Sequence, residues 1–381
     1  MRHVYSLAFF LVACAPGGRN GVPRTATTGA GDTASDGGSA NIPSCNQFNP
    51  SPDGDQDSDG YTPAQGDCND CNPSINPGAI QIPGDMTDYA CNGKPGTLPS
   101  CDASNTGLRD ATSLAGAFEL CDPRFFLSAT LLGPSDKRAR KVKATFGVLP
   151  PRAGQNMALL STGIAADKND PDFDSFNEED PGTDLSDSNT QPNPLPMLPG
   201  VSGCSQTQPD TVYDYSELVV KLKAPSNANS FSFDFQFFSA EYPVFVCTEF
   251  NDEFLVLQES DKEFGAPTNI AFDMQKNPVT INNGFFAVCT NDKSKPETQH
   301  CQHPVSDIKG TGFEDSPGPE QIPGGSTGWL TTTSPVAPGE NVTLHFILFD
   351  EGDHILDSAV LLDNFRWGTS VVTVPSTTPI F

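Results

Sequence analysis

Residues 53–71 read DGDQDSDGYTPAQGDCNDC, and the chemistry open to them is that of a hard-cation site. Asp55, Asp57 and Asp59 stand at the first, third and fifth places of a calcium-loop pattern, with Gly60 at the sixth, where the chain must turn sharply. Tyr61 offers a backbone carbonyl at the seventh. Carboxylates this close repel one another unless a cation neutralises them, and a shell made only of oxygen favours Ca²⁺ over a transition metal. The closing Glu of an EF-hand loop is replaced by Gly66, so this is not an EF-hand, and Asp67 or Asp70 is expected to complete the shell. A solvated acidic linker is the competing reading. It does not explain a glycine and an aromatic in this register, or Cys68, Cys71 and Cys91 beside them.

Acids also gather where apolar runs end, in SAEYPVFVCTEFND at 239–252 and FDEGDHILDSAVLLDNFRW at 349–367. If those ends lie side by side, Glu241, Asp252, Asp353 and Asp357 converge as a second Ca²⁺ site; otherwise Glu241 and Asp357 serve as ion-pair partners or turn caps. The run DKNDPDFDSFNEED at 167–180 lacks a glycine register and reads as a solvated loop. His300-Cys301-Gln302-His303 has no further soft ligand nearby except Cys289, so a short Cys289–Cys301 bridge is expected there. Cys68 and Cys91 are expected to staple the acidic module. Serine elbows, phosphate loops and zinc-protease helices are absent, which favours a non-enzymatic protein.

The elements that must hold these residues follow from the rest of the chain. MRHVYSLAFFLVAC has a basic start and an apolar run of about ten residues, too short to span a bilayer, and residues 1–13 read as an export signal. Residues 14–43 read as a flexible tether, rich in small and polar residues. Of 11 cysteines, those beyond Cys14 are even in number, which points to disulfides in an oxidising compartment. A net charge of -27 excludes nucleic acid as a partner and favours divalent cations.

Residues 44–103 form a module with few apolar side chains, dependent on its metal and cysteines. A helix is expected from Leu108 to Leu120 with Asn105 or Thr106 as cap, within a connecting segment at 104–146. Beyond it the apolar period becomes two: Phe231, Phe233, Phe235 and Phe237 alternate with polar residues, as do Val342, Leu344, Phe346 and Leu348. Val212 to Leu222, Phe254 to Leu257 and Phe285 to Val288 read as further strands. The fold class is therefore mainly β: an antiparallel, jelly-roll-like β-sandwich over 147–368 with a tail at 369–381.

Several of these stretches carry family resemblances. Leu11-Val12-Ala13-Cys14 resembles the bacterial lipobox, which implies that Cys14 is lipidated as the first mature residue. Residues from about 147 to 367 resemble the choice-of-anchor L domain of bacterial surface and secreted proteins, often myxobacterial. The resemblance rests on F-S-x-E-Y-P-x-F-V from Phe238, F-N-D-x-F at 250–254, P-V-x-I-N-N at 278–283, T-G-W-L-T at 327–331 and G-D-x-x-x-D-S-A-V at 352–360. The acidic module resembles an Asp-rich metal-binding repeat known from a copper-binding surface protein of methane oxidisers. It matches at Asp55–Gly60, Gly66–Asp70 and Asn76–Ala79, but Ala90 and Asn92 stand where that repeat has acids, and Gln81 where it commonly has Glu. The module has no His, so oxygen chemistry and Ca²⁺ are expected rather than copper.

Together these features imply a lipid-anchored protein of the bacterial outer membrane or cell surface, or one released from it, whose Ca²⁺-stabilised sandwich binds a glycan or a surface protein. A surface metal-sequestering protein is the alternative, and a hydrolase with an acidic cleft a second one.

Overall fold

The period-two runs of the sequence become the strands of two antiparallel sheets. The computed structural model describes residues 45, 51–99, 101, 105–173, 190–194, 204, 209–282, 284–291, 301–315, 322–353 and 355–380. The segments read as export signal and tether, with Cys14, and His300 lie outside these residues. In chain order the strands begin with β1 (Phe126–Leu132), β2 (Arg140–Lys143), β3 (Met157–Ser161), β4 (Gln191–Pro192), β5 (Thr211–Lys223), β6 (Ser230–Ser239) and β7 (Glu253–Ser260). They continue with β8 (Thr268–Asn269), β9 (Val279–Thr280), β10 (Gly325–Ser326), β11 (Leu330–Pro335), β12 (Asn341–Asp350), β13 (Ser358–Gly368) and β14 (Ser376–Pro379).

One sheet runs β1-β5-β12-β7-β8, with β4 added to β5 and β9 to β7; the other runs β14-β11-β6-β13-β3-β2, with β10 added to β6. Thus β1 and β2, which precede residue 147, and β14, which follows residue 368, are sandwich strands. The sheets meet through large apolar side chains. Phe233 and Phe235 of β6 reach across to Phe346 of β12 and Phe254 of β7, with ring centroids 5.2 and 5.1 Å apart. The alternate residues of β6 are also covered: buried Asp234 accepts from Thr331 Oγ1 (2.7 Å), Asn364 Nδ2 (2.8 Å) and Arg366 Nη1 (3.2 Å).

The helix α1 (Ala111–Ala117) is shorter than the sequence pattern suggests. Its cap is Asp110, which accepts from Ser113 N at 2.9 Å, and not Asn105 or Thr106; Thr106 Oγ1 instead donates to Asn156. Leu114, Ala115, Ala117 and Phe118 bury one face of this segment against the sandwich core. Phe285–Val288 is not a strand either. Its apolar run is irregular, with Phe286 and Val288 buried and Phe285 and Ala287 half-buried, and within it only Val288 forms bridges, to His303 and Ser326.

The described part of the acidic run at 167–173 is an ion-paired layer rather than a solvated loop. Asp170 pairs with Lys141 (2.6 Å) and Lys143, Asp172 with Arg109 (2.5 Å), and Asp167 with Lys143 (3.1 Å). Residues 174–180 lie outside the described set. The ten cysteines after Cys14 pair as Cys45–Cys71, Cys68–Cys91, Cys101–Cys121, Cys204–Cys247 and Cys289–Cys301. Cys68 and Cys71 take different partners, so their spacing serves architecture and not dithiol redox chemistry.

Candidate metal centre

Short-range polar contacts wind the acidic loop. The Asp55 carboxylate accepts from the N–H groups of Asp59 (3.2 Å) and Gly60 (3.0 Å), and Asp59 accepts from Tyr61 N at 2.8 Å. Gly60 has φ +94°, a left-handed conformation that a side chain would strain, which is why the turn falls on a glycine. The Tyr61 phenol rests on the backbone of Gly78, where any Cβ would collide with it. Asn76, fully buried, then ties the loop to the sandwich: its Nδ2 donates to Asp59 Oδ2 (2.8 Å), while its Oδ1 accepts from Ser226 Oγ (2.7 Å) in the β5–β6 turn.

The sequence left Asp67 and Asp70 as alternatives, and the fold brings in both. Single carboxylate oxygens of Asp55, Asp57 and Asp59 lie within 4.8 Å of one another, as do those of Asp57, Asp67 and Asp70, so Asp57 belongs to two overlapping triads. Asp70 is engaged by Gln56 through N (3.0 Å) and Nε2 (2.7 Å). Asp57 Oδ2 and Asp67 Oδ2 are buried and accept no hydrogen bond. Burial, followed by the charges of Asp59 and Asp67, pushes Asp57 up to about 6, and burial likewise raises Asp59 and Asp67. No described Lys, Arg or His pairs with any of the five acids. Converging oxygens with buried orphans and no internal counter-charge fit a hard divalent cation.

A second loop, Asp88 to Gly93, repeats the backbone of the first. Asp88 accepts from the N–H groups of Asn92 (3.2 Å) and Gly93 (2.7 Å), the same four- and five-residue offsets as at Asp55. Here, however, the Gln81 amide fills the centre, its Nε2 donating to Asp88 Oδ1 (2.6 Å) and Asn92 Oδ1 (3.1 Å). Although burial raises the Asp88 pKa, these donors bring it below the usual carboxylate range, the reverse of Asp57. Of the two loops, the first is the one whose carboxylates converge closely enough to hold a cation.

The sandwich acids lie where β6 and β12 end and β7 and β13 begin. Glu241 and Asp252 are buried side by side: Asp252 N donates to Glu241 Oε2 at 3.4 Å, and Ser358 Oγ donates to Asp252 Oδ2 at 2.5 Å. Burial and the neighbouring Asp252 hold Glu241 well above its ordinary pKa, and burial lifts Asp252 to about 7. Asp353 stands at the rim, lining a cavity of about 260 Å³ with Glu241, Phe245 and Phe250. The buried Asp357 carboxylate lies against Gly163, where a Cβ would strike it. Neither Glu241 nor Asp252 takes part in an ion pair with a described base. Asp350 and Glu351, unremarked in the sequence, are buried in the same layer; burial raises both, Glu351 to about 8. Their signal was present in the FDEGD run that ends β12.

Among the described residues no helix is long and apolar enough to cross a membrane. The family model of the Choice-of-anchor L domain matches residues 156–365, which takes in β3 and most of β13 with everything between. Neither a curated protein nor a solved structure matches the chain.

Proposed function

The chain belongs to the choice-of-anchor L family, and from that premise we propose that it is a non-enzymatic protein displayed on a bacterial surface, held there by lipid on Cys14, whose Ca²⁺-stabilised module and sandwich together bind a glycan. The observation that carries the ligand reading is a cleft of about 510 Å³ walled by both parts. Ile80, Gln81 and Leu98 come from the module, and Phe126, Phe365 and Trp367 from the sandwich. Exposed Arg366 and half-buried Asn364 stand beside the half-buried Trp367. Asn364 Nδ2 and Arg366 Nη1 are held by Asp234, which fixes both side chains beside the indole and leaves the remaining guanidinium N–H groups of Arg366 for a ligand. An aromatic face beside such donors suits a sugar ring, which presents a flat C–H face and a rim of hydroxyls.

The cleft needs a folded module, so binding should require the ion. On a glycan array, wild-type protein is expected to retain its ligand in Ca²⁺ and to lose at least tenfold in affinity on chelation or in Trp367→Ala. Ca²⁺-independent binding, or binding indifferent to Trp367, would assign the ligand to another surface. Capture of a protein in place of any glycan would exclude the saccharide reading.

Anchoring is tested separately. Cys14→Ser is expected to move the protein from the membrane fraction to the soluble one, and a wild-type protein without diacylglyceryl mass would refute lipidation. Metal sequestration is the second reading, favoured by the two carboxylate triads on Asp57. Calorimetry separates it from the first: one or two saturable Ca²⁺ sites with a large rise in melting temperature mark a structural ion, and many-site or tight Cu²⁺ binding marks storage.

A further inference from the structure

The acids at the end of the sandwich call for a different explanation from those of the loop. Asp350 closes β12, Asp252 precedes β7, Asp357 precedes β13 and Glu241 follows β6, so each joins a strand of one sheet or the other to a connection at the same end. Glu241, Asp252, Asp350 and Asp357 are each no more than 2% exposed. Asp252 is in carboxyl–carboxyl contact with both Glu241 and Asp350, and beyond those contacts no N–H or hydroxyl donates to either Asp350 oxygen or to Asp252 Oδ1. No described Lys, Arg or His pairs with Glu241, Asp252 or Asp350. Buried carboxyls that face one another with no basic partner can coexist only by sharing protons or by taking up a cation.

We propose that Glu241, Asp252, Asp350 and Asp357 bind a divalent cation, Ca²⁺ by their oxygen-only chemistry, that clamps the two sheets together at this end. The cavity beside Glu241 and Asp353 gives the ion a path from solvent. These acids do not form a triad within 4.8 Å as the loop aspartates do, so the ion draws them inward. It acts on the connections between strands, where carboxylates from both sheets can move by side-chain rotation without breaking the β ladders.

The site is independent of the acidic loop, and a pair of variants separates them. Equilibrium dialysis of full-length Asp57→Ala, whose sandwich is untouched, is expected to retain one bound Ca²⁺ per chain. Asp350→Asn is expected to lose one Ca²⁺ relative to wild type and to melt at a lower temperature. Failure of the loop reading alone would leave wild type and Asp57→Ala with equal Ca²⁺, whereas an Asp57→Ala protein that binds none would overturn the interior site. So would an Asp350→Asn protein with wild-type stoichiometry and an equal or higher melting temperature, because removing a charge from an ion-free cluster relieves repulsion. Should Asp350→Asn not fold, the stoichiometry of Asp57→Ala decides by itself.

Discussion

Chelating Ca²⁺ is expected to strip amide protection from residues 53–93 while the sandwich keeps its own. The module's buried apolar residues are few, Ile75, Ala79, Ile80 and Ala90, and its carboxylates converge with no described basic side chain paired to them. Ion binding to the folded loop contributes about 2.7 kcal/mol at a hundredfold excess over Kd, a large part of what so small a core can supply. The bridges Cys45–Cys71 and Cys68–Cys91 survive chelation, so the module loosens around them without detaching. Hydrogen exchange with and without a chelator is the measurement, and Asp57→Ala should reproduce the chelated pattern in the presence of Ca²⁺. The dependence on pH has a definite sign. In the ion-free loop burial and its neighbours raise Asp57 to about 6, so the folded loop holds its proton more tightly than the open one. Its ion-free stability is therefore present in acid and lost as pH rises through about 6, and chelation should open the loop more at pH 7.5 than at pH 5. Unchanged protection across 53–93 at neutral pH would mean that disulfides and docking hold the module without an ion.

Phe346→Ala is expected to cost the sandwich about 3–5 kcal/mol. Phe346 is fully buried on β12, between Phe118 beyond the helix and Phe233 of the opposite sheet, with ring centroids 5.4 and 5.2 Å away in edge-to-face contact. Truncation removes a large side chain at a point where the helix segment and both sheets meet, leaving a cavity in the shared core. The melting temperature should fall on the order of 10 °C, whereas Leu127→Ala, on a β1 residue 52% exposed, should shift it by little. A loss under about 1 kcal/mol by calorimetry would show that the sheets do not share this core.

What the sequence determined by itself is local or periodic. D-x-D-x-D-G specifies a loop because each aspartate reaches backbone N–H groups two to five residues on, and the left-handed turn has its glycine within the same six letters. Alternating Phe from 231 to 237 specifies a strand with one core face, and an even set of cysteines beyond Cys14 specifies bridges. Tertiary structure alone decided which distant side chains share space. It brought both Asp67 and Asp70 to Asp57, placed the Gln81 amide at the centre of the Asp88 loop, and set Lys141 and Lys143 against Asp170. It also made Asp350 a neighbour of Asp252, since the β12–β7 register sets Phe349 opposite Glu253 and so aligns the residues just beyond each. Hydrogen-bonding and torsional preferences act over a few residues and can be read from neighbours in the chain. The electrostatic environment of a buried carboxylate depends on strand register and sheet packing, which join residues about a hundred positions apart.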